Sequence, residues 1–201
     1  MNNSTEIATF YDSRFKKYGY SAKAVGWRSI AQQQLRFKML ADGLDFSGSS
    51  VLDLGCGFGD FYDFLREKEM NPSSYTGIDI SSEMCKAATQ KYFGTANVFF
   101  RNREMLTNTD EKYDYVIASG SLNYNLGVNM GEYLQNFIEI YSTVVGKGLL
   151  FNLMSDKVDY TQAQHIHYSA DVTSQIMTLN FPKVRLLQDY GLYEFTIQGL
   201  K

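Results

Sequence analysis

Apolar and polar positions follow two rhythms along this chain. Within residues 22–42, Trp27, Ala31, Leu35 and Met39 recur every four positions, and Ile30 and Leu40 widen the stripe. That period predicts an amphipathic helix. The segment Asp45-Phe46-Ser47-Gly48-Ser49-Ser50 breaks it, and Val51-Leu52-Asp53-Leu54 then reads as a short buried strand running into glycine. Residues 60–69 return to a helical pattern with Phe61, Phe64 and Leu65 on one face, stopped by Asn71-Pro72. Residues 75–80 predict a second strand. A third helical run starts at Ser81-Ser82-Glu83 with a serine cap, and Met84, Ala87, Ala88 and Tyr92 line its inner face. Residues 98–100, 113–119 and 148–153 predict three more strands. Leu134, Phe137, Ile138, Tyr141 and Val145 mark a long helix between the last two. Strands alternating with helices predict a parallel sheet covered on both faces. The tail differs: residues 183–188 and 192–198 read as two strands joined by Asp189-Tyr190-Gly191, a hairpin signal.

Composition narrows the class. With 201 residues, 44% hydrophobic and 20% charged, the chain suits one ordinary globular domain and not a disordered one. No apolar run approaches the ~18–20 residues of a membrane span. The first residues carry no basic-then-apolar leader pattern, and Cys56 and Cys85 form neither a disulfide framework nor a zinc pattern. A cytoplasmic protein without a metal site or membrane partner is expected. A net charge of -3 leaves no global footprint for nucleic acid. The charge is nevertheless uneven. Residues 13–41 hold Arg14, Lys16, Lys17, Lys23, Arg28, Arg36 and Lys38 and no acidic residue. Two readings stay open: a basic segment docked on an acidic body, or a face turned toward a carboxylate or phosphate.

The site-bearing segment is Val51-Leu52-Asp53-Leu54-Gly55-Cys56-Gly57-Phe58-Gly59-Asp60. A buried strand runs into three alternating glycines and then a helix. Glycines there permit a sharp bend and close approach of a ligand, and the helix start offers unpaired N–H groups. Dinucleotide sites use G-x-G-x-x-G at this place. Here the third glycine comes one residue early, and Asp60 occupies its position. With Asp53 just before the turn, the loop suits a cationic or zwitterionic ligand better than a pyrophosphate. Asp79 ends the second strand about 20 residues further on, where a carboxylate can accept both hydroxyls of a ribose.

Together these residues resemble the class I S-adenosylmethionine-dependent methyltransferases. The likeness covers roughly residues 49–155 by motif, and the closing hairpin extends it. VLDLGCGFGD is similar to that family's first motif, YTGIDIS to its acidic ribose loop, and YDYVIASG to its fourth motif. The resemblance implies a Rossmann-like, doubly wound α/β fold: a seven-stranded, mostly parallel sheet in the order 3-2-1-4-5-7-6. It also implies a helical cap over residues 1–48 and a cofactor-binding core over 49–201 of a single domain. S-adenosylmethionine would be the cofactor and S-adenosylhomocysteine the product. Asp53 and the backbone of Gly55, Cys56 and Gly57 would hold the methionine part, Asp79 the ribose, and Ile80 and Met84 the adenine side. Glu104 or the Met105 N–H would meet the adenine amino group, and Ser119 and Gly120 would border the sulfonium.

The acceptor side is less explicit. After the fourth strand the chain reads Ser119-Gly120-Ser121-Leu122-Asn123-Tyr124-Asn125, without the Pro-Pro pair of many amino-methylating enzymes of DNA and protein. A small-molecule acceptor is expected, methylated on N or O with C or S as the alternative and carrying an anionic group in one version, with the protein a monomer or homodimer. Tyr124, His165 and His167 are the candidate catalytic groups, since imidazole titrates near neutrality. Tyr11, Trp27, Arg28 and Asn123 are candidate substrate contacts. Two other functions remain in play: a non-catalytic nucleoside-binding module, and a nicotinamide-dependent oxidoreductase.

Overall fold

The computed structural model describes residues 3–107, 109–159 and 161–201. Seven strands form one sheet: β1 (Ser50–Leu54), β2 (Ser74–Asp79), β3 (Val98–Asn102), β4 (Tyr113–Ser119), β5 (Val145–Met154), β6 (Lys183–Leu187) and β7 (Glu194–Leu200). Their order is β3-β2-β1-β4-β5-β7-β6, as the family resemblance implied. Strands β1 to β5 pair in parallel, and β7 runs antiparallel to both β5 and β6. The topology reverses between β1 and β4, and the chain leaves their carboxyl ends toward opposite edges of the sheet. That is where open α/β sheets bind ligands.

Among the described residues six helices accompany the sheet: α1 (Asn3–Tyr18), α2 (Ile30–Leu40), α3 (Asp60–Glu67), α4 (Ser82–Lys91), α5 (Met130–Val144) and α6 (Ala170–Asn180). Two apolar layers cover the two faces. One packs Phe137, Ile138 and Tyr141 of α5 against Leu52, Val116 and Phe151. The other packs Phe37 and Leu40 of α2 and Phe61 and Leu65 of α3 against Val51, Tyr115 and Leu150. Both layers bury large side chains completely, so the strand ends they support form a rigid frame. No described helix is long and apolar enough to cross a membrane.

Several elements depart from the sequence reading. Helix α2 starts at Ile30, because the Ser29 hydroxyl accepts the Gln32 N–H as an N-cap. Trp27 therefore precedes the helix and does not share its stripe. The buried face of α2 is Gln33, Arg36, Phe37 and Leu40, whereas Ala31 is exposed and Ile30 is 67% exposed. Two polar side chains take core-facing positions because each finds a partner. Gln33 donates to Asp60 at 2.9 Å, and Arg36 donates to Glu194. Strand β7 begins two residues later than its apolar run suggests. Helix α6 was not expected, and α1 lies inside the 1–48 segment expected as a helical cap, with no period of its own to mark it.

Candidate active site

The site is built where β1, β2 and β4 end. After Leu54 the chain turns through Gly55, Gly57 and Gly59, all at positive φ. A Cβ on Gly55 would stand 2.3 Å from the Ser121 Cβ, so only glycine lets the loop after β4 come this close. The turn is stitched to β2: Gly55 N and Cys56 N donate to the Ile78 carbonyl at 2.7 and 3.1 Å. Gly57 N donates to Asp79 Oδ2 at 2.9 Å, and Ser81 N to Asp79 Oδ1 at 2.8 Å. The Asp79 carboxylate is thus fixed by two backbone N–H groups, and it still has lone pairs to offer. Its pKa lies above the ordinary aspartate value. Burial raises it, and the Ser81 and Gly57 N–H bonds counteract only in part.

A cavity of about 660 Å³ opens over this turn, within the size range of ligand pockets. Gly55, Gly57, Asp79, Ile80, Met84, Glu104, Met105, Ser119 and Gly120 line it, and so do Tyr11, Trp27, Arg28, Asn123, Tyr124 and His165. Most residues singled out in the sequence are therefore brought together around one space.

Three are not. Asp53 is 3% exposed and lies beneath the cavity, where its carboxylate accepts the Tyr75 hydroxyl. Burial pushes its pKa up to about 7, the Tyr75 bond opposes this, and the Asp79 and Asp60 charges add to it. Cys56 is buried with its Sγ toward the Gly57 carbonyl, and burial holds the thiol well above its ordinary value. His167 is not among the cavity residues, and its Nε2 is buried without a hydrogen-bond partner among the described residues. His167 therefore does not join His165 as a candidate catalytic group at the cavity, because the segment is not a continuous strand. His165 alone forms an isolated antiparallel bridge with Tyr124, and Ile166 N bonds the Asn123 carbonyl.

That bridge organises the part of the wall that holds Tyr124 and His165. Residues directly opposite in an antiparallel pair project side chains to the same side, about 5 Å apart at Cβ. Tyr124 and His165 therefore face the cavity as neighbours. The Tyr124 ring also meets Phe10 of α1, with centroids 5.8 Å apart. Asn123 is 6% exposed; its Oδ1 accepts the Met154 N–H at 2.9 Å, so it ties the loop to β5 as well as bordering the cavity. His165 sits below its ordinary pKa, chiefly through burial and secondly through the nearby His167. It is the neutral imidazole at pH 7. The Tyr11 hydroxyl is pushed up to about 12 by burial, with the Asp79 charge adding.

The basic segment divides. Lys16, Lys17, Lys23 and Lys38 are exposed to solvent, whereas Arg14, Arg28 and Arg36 line the cavity, Arg28 being exposed as well. Arg14 spends its donors on the Ala24 and Lys23 carbonyls, and Arg36 pairs with Glu194. Among the described residues Arg28 makes no hydrogen bond or ion pair. Sequence reasoning missed Arg103 and Glu194. Arg103 borders the cavity with a buried Nε that has no partner among the described residues. Glu194 lies 158 positions from Arg36, and no local pattern links them.

This fold and this site define a class I methyltransferase. A family model described as "Methyltransferase domain" matches residues 45–184. Rv1506c of Mycobacterium tuberculosis, named as a methyltransferase, is 33% identical over 154 residues, covering 74% of this chain and 90% of its own. Among solved structures, DhpI in complex with S-adenosylmethionine and HEP superposes with a TM-score of 0.72 at 17% identity, covering 98% of this chain and 97% of its own. Magnesium protoporphyrin IX methyltransferase of Synechocystis PCC 6803 with bound S-adenosylmethionine gives 0.70 at 18% identity, covering 100% and 98%. The chain belongs to the class I S-adenosylmethionine-dependent methyltransferase family.

Proposed function

We propose that the protein binds S-adenosylmethionine along the end of β1 and β2 and methylates an N or O atom of a small molecule at its Tyr124–His165 side. The observation that carries this reading is the Asp79 carboxylate. It is held by the Gly57 and Ser81 N–H groups while it borders the cavity, so a diol can be received without reorganisation. When bound, the cofactor supplies a methyl group on a sulfonium, which needs no further activation by a metal.

The residues fit that group. Asp79 receives the two ribose hydroxyls, and Ile80 and Met84 flank the base. Glu104 and the Met105 N–H reach the adenine edge, and the orphan Arg103 Nε gives that edge one donor more. Gly55 and Gly57 leave room for the methionine part. Asp53 acts from below as a buried carboxylate, and Cys56 contributes packing and its backbone, not a thiolate. Gly120 and Ser119 border the reacting end, with the Ser119 hydroxyl anchored on Asn152 at 3.1 Å.

On the acceptor side, neutral His165 takes a proton from the nucleophile while Tyr124 and Asn123 fix its approach. Alignment of this kind supplies much of the rate of an in-line displacement. Arg28, free of protein partners among the described residues, meets a carboxylate or phosphate of the acceptor. The helices before β1 cap the cavity, and His167 supports the loop from outside it.

Calorimetry tests the reading. Wild type is expected to bind S-adenosylmethionine and S-adenosylhomocysteine and not NAD or NADP, and Asp79→Asn is expected to weaken both at least tenfold. Production of S-adenosylhomocysteine from a panel of small acceptors then separates an enzyme from a binding module. Absence of heat with both sulfur nucleosides refutes it.

A further inference from the structure

Trp27, Arg36 and Glu194 form one unit of the cavity wall. All three line the same space. The Arg36 guanidinium lies 4.1 Å from the Trp27 ring centroid, a close cation–π contact. Its Nε donates to Glu194 Oε2 at 2.7 Å and its Nη2 to Oε1, a two-point pair. Arg36 is 6% exposed and Glu194 8%. The other edge of the indole presses on Gly120: a Cβ there would meet Trp27 Cη2 at 2.1 Å. One indole thus bridges a buried guanidinium and the turn that borders the reacting centre.

A buried ion pair is a poor source of stability, because desolvating two charges consumes most of their attraction. Here the chemistry of the site gives the pair another task. The guanidinium locks the indole against Gly120, but an unpaired cation one ring away from a sulfonium would repel it in a medium of low dielectric. We propose that Glu194 is a charge-compensating positioning residue: it lets Arg36 brace Trp27 at the methyl-transfer point without placing net positive charge beside the sulfonium of S-adenosylmethionine. The inference rests on the cofactor reading above.

The sign of the charge gives a test that structural damage does not mimic. S-adenosylmethionine and S-adenosylhomocysteine share the nucleoside and amino-acid parts and differ by the methyl cation at sulfur. The quantity read is the ratio of their dissociation constants by calorimetry. Glu194→Gln leaves Arg36 uncompensated, and its ratio is expected to shift against the sulfonium about three- to tenfold. Arg36→Met leaves the carboxylate, and its ratio is expected to shift the opposite way. Equal losses for both ligands in both variants, or shifts of the same sign, overturn the proposal. If Glu194→Gln fails to fold, Arg36→Met decides alone, and an unchanged ratio there overturns it. Failure of wild type to bind either ligand would instead sink the cofactor reading.

Discussion

Asp53 offers the sharpest quantitative test. Its carboxyl sits under the glycine turn, 3% exposed, with the Tyr75 hydroxyl as its hydrogen-bond donor. Burial moves its pKa from an ordinary 3.8 to about 7. The folded protein therefore holds this proton to higher pH than the unfolded chain does. The stabilisation is complete below the unfolded value and disappears as pH rises through about 7. Integrating between about pH 5 and about pH 8, wild type should lose roughly 2–3 kcal/mol from this group alone. Asp79 is shifted in the same direction, so the total slope is steeper, and a difference measurement is needed. Asp53→Asn keeps an acceptor for Tyr75 and removes the titration. Urea unfolding of both proteins at the two pH values, fitted with a common slope, gives that difference. Wild type should be favoured relative to the variant at the acidic end, by roughly 2–3 kcal/mol more than at the alkaline end. If the two pH profiles run parallel within ~0.5 kcal/mol, burial does not control this carboxyl and the reasoning fails.

Two further outcomes follow from the site geometry. Gly120→Ala adds a Cβ at φ +73 facing Trp27 Cη2, so strain of ~1–2 kcal/mol and overpacking of ~1–3 kcal/mol should lower the thermal midpoint by roughly 5–15 °C. Gly48→Ala, at φ +68 with nothing within 4 Å, should show the strain alone, and equal losses in the two would remove the Trp27 contact as the cause. His165→Gln should lower kcat about 10²–10⁴-fold and erase the acidic limb of the rate profile, whose midpoint lies below 6.5 because burial depresses the imidazole; a retained limb assigns the base elsewhere.

The core of this fold was legible because glycine and charge punctuate it. Strands β1 and β4 are largely apolar and run into Gly55 and Gly120, and β2 ends in Asp79, so sequence alone placed the ligand end of the sheet. The N-terminal third was harder. Helix α1 buries Ile7 but leaves Phe10 42% exposed toward the cavity side, so its apolar face lacks the clean stripe of a core helix. Helix α2 presents Gln33 and Arg36 inward, and only their distant partners Asp60 and Glu194 explain that choice. Helix α6 buries Ala170, Thr173 and Met177, a face too small and polar to read by period. His167 was misplaced for a related reason. Its neighbour His165 is set by a bridge to Tyr124, a long-range pairing that alternation along the segment does not encode.

Trp27 is the single tryptophan of the chain, and it stands at the wall of the cavity against Gly120. Excited at the red edge of its absorption band, where the 15 tyrosines absorb little, the unlabelled protein therefore emits from one chromophore in the cavity wall. Filling or emptying of the pocket becomes an optical signal in its own right, and stopped-flow mixing can follow a single turnover without any engineered dye.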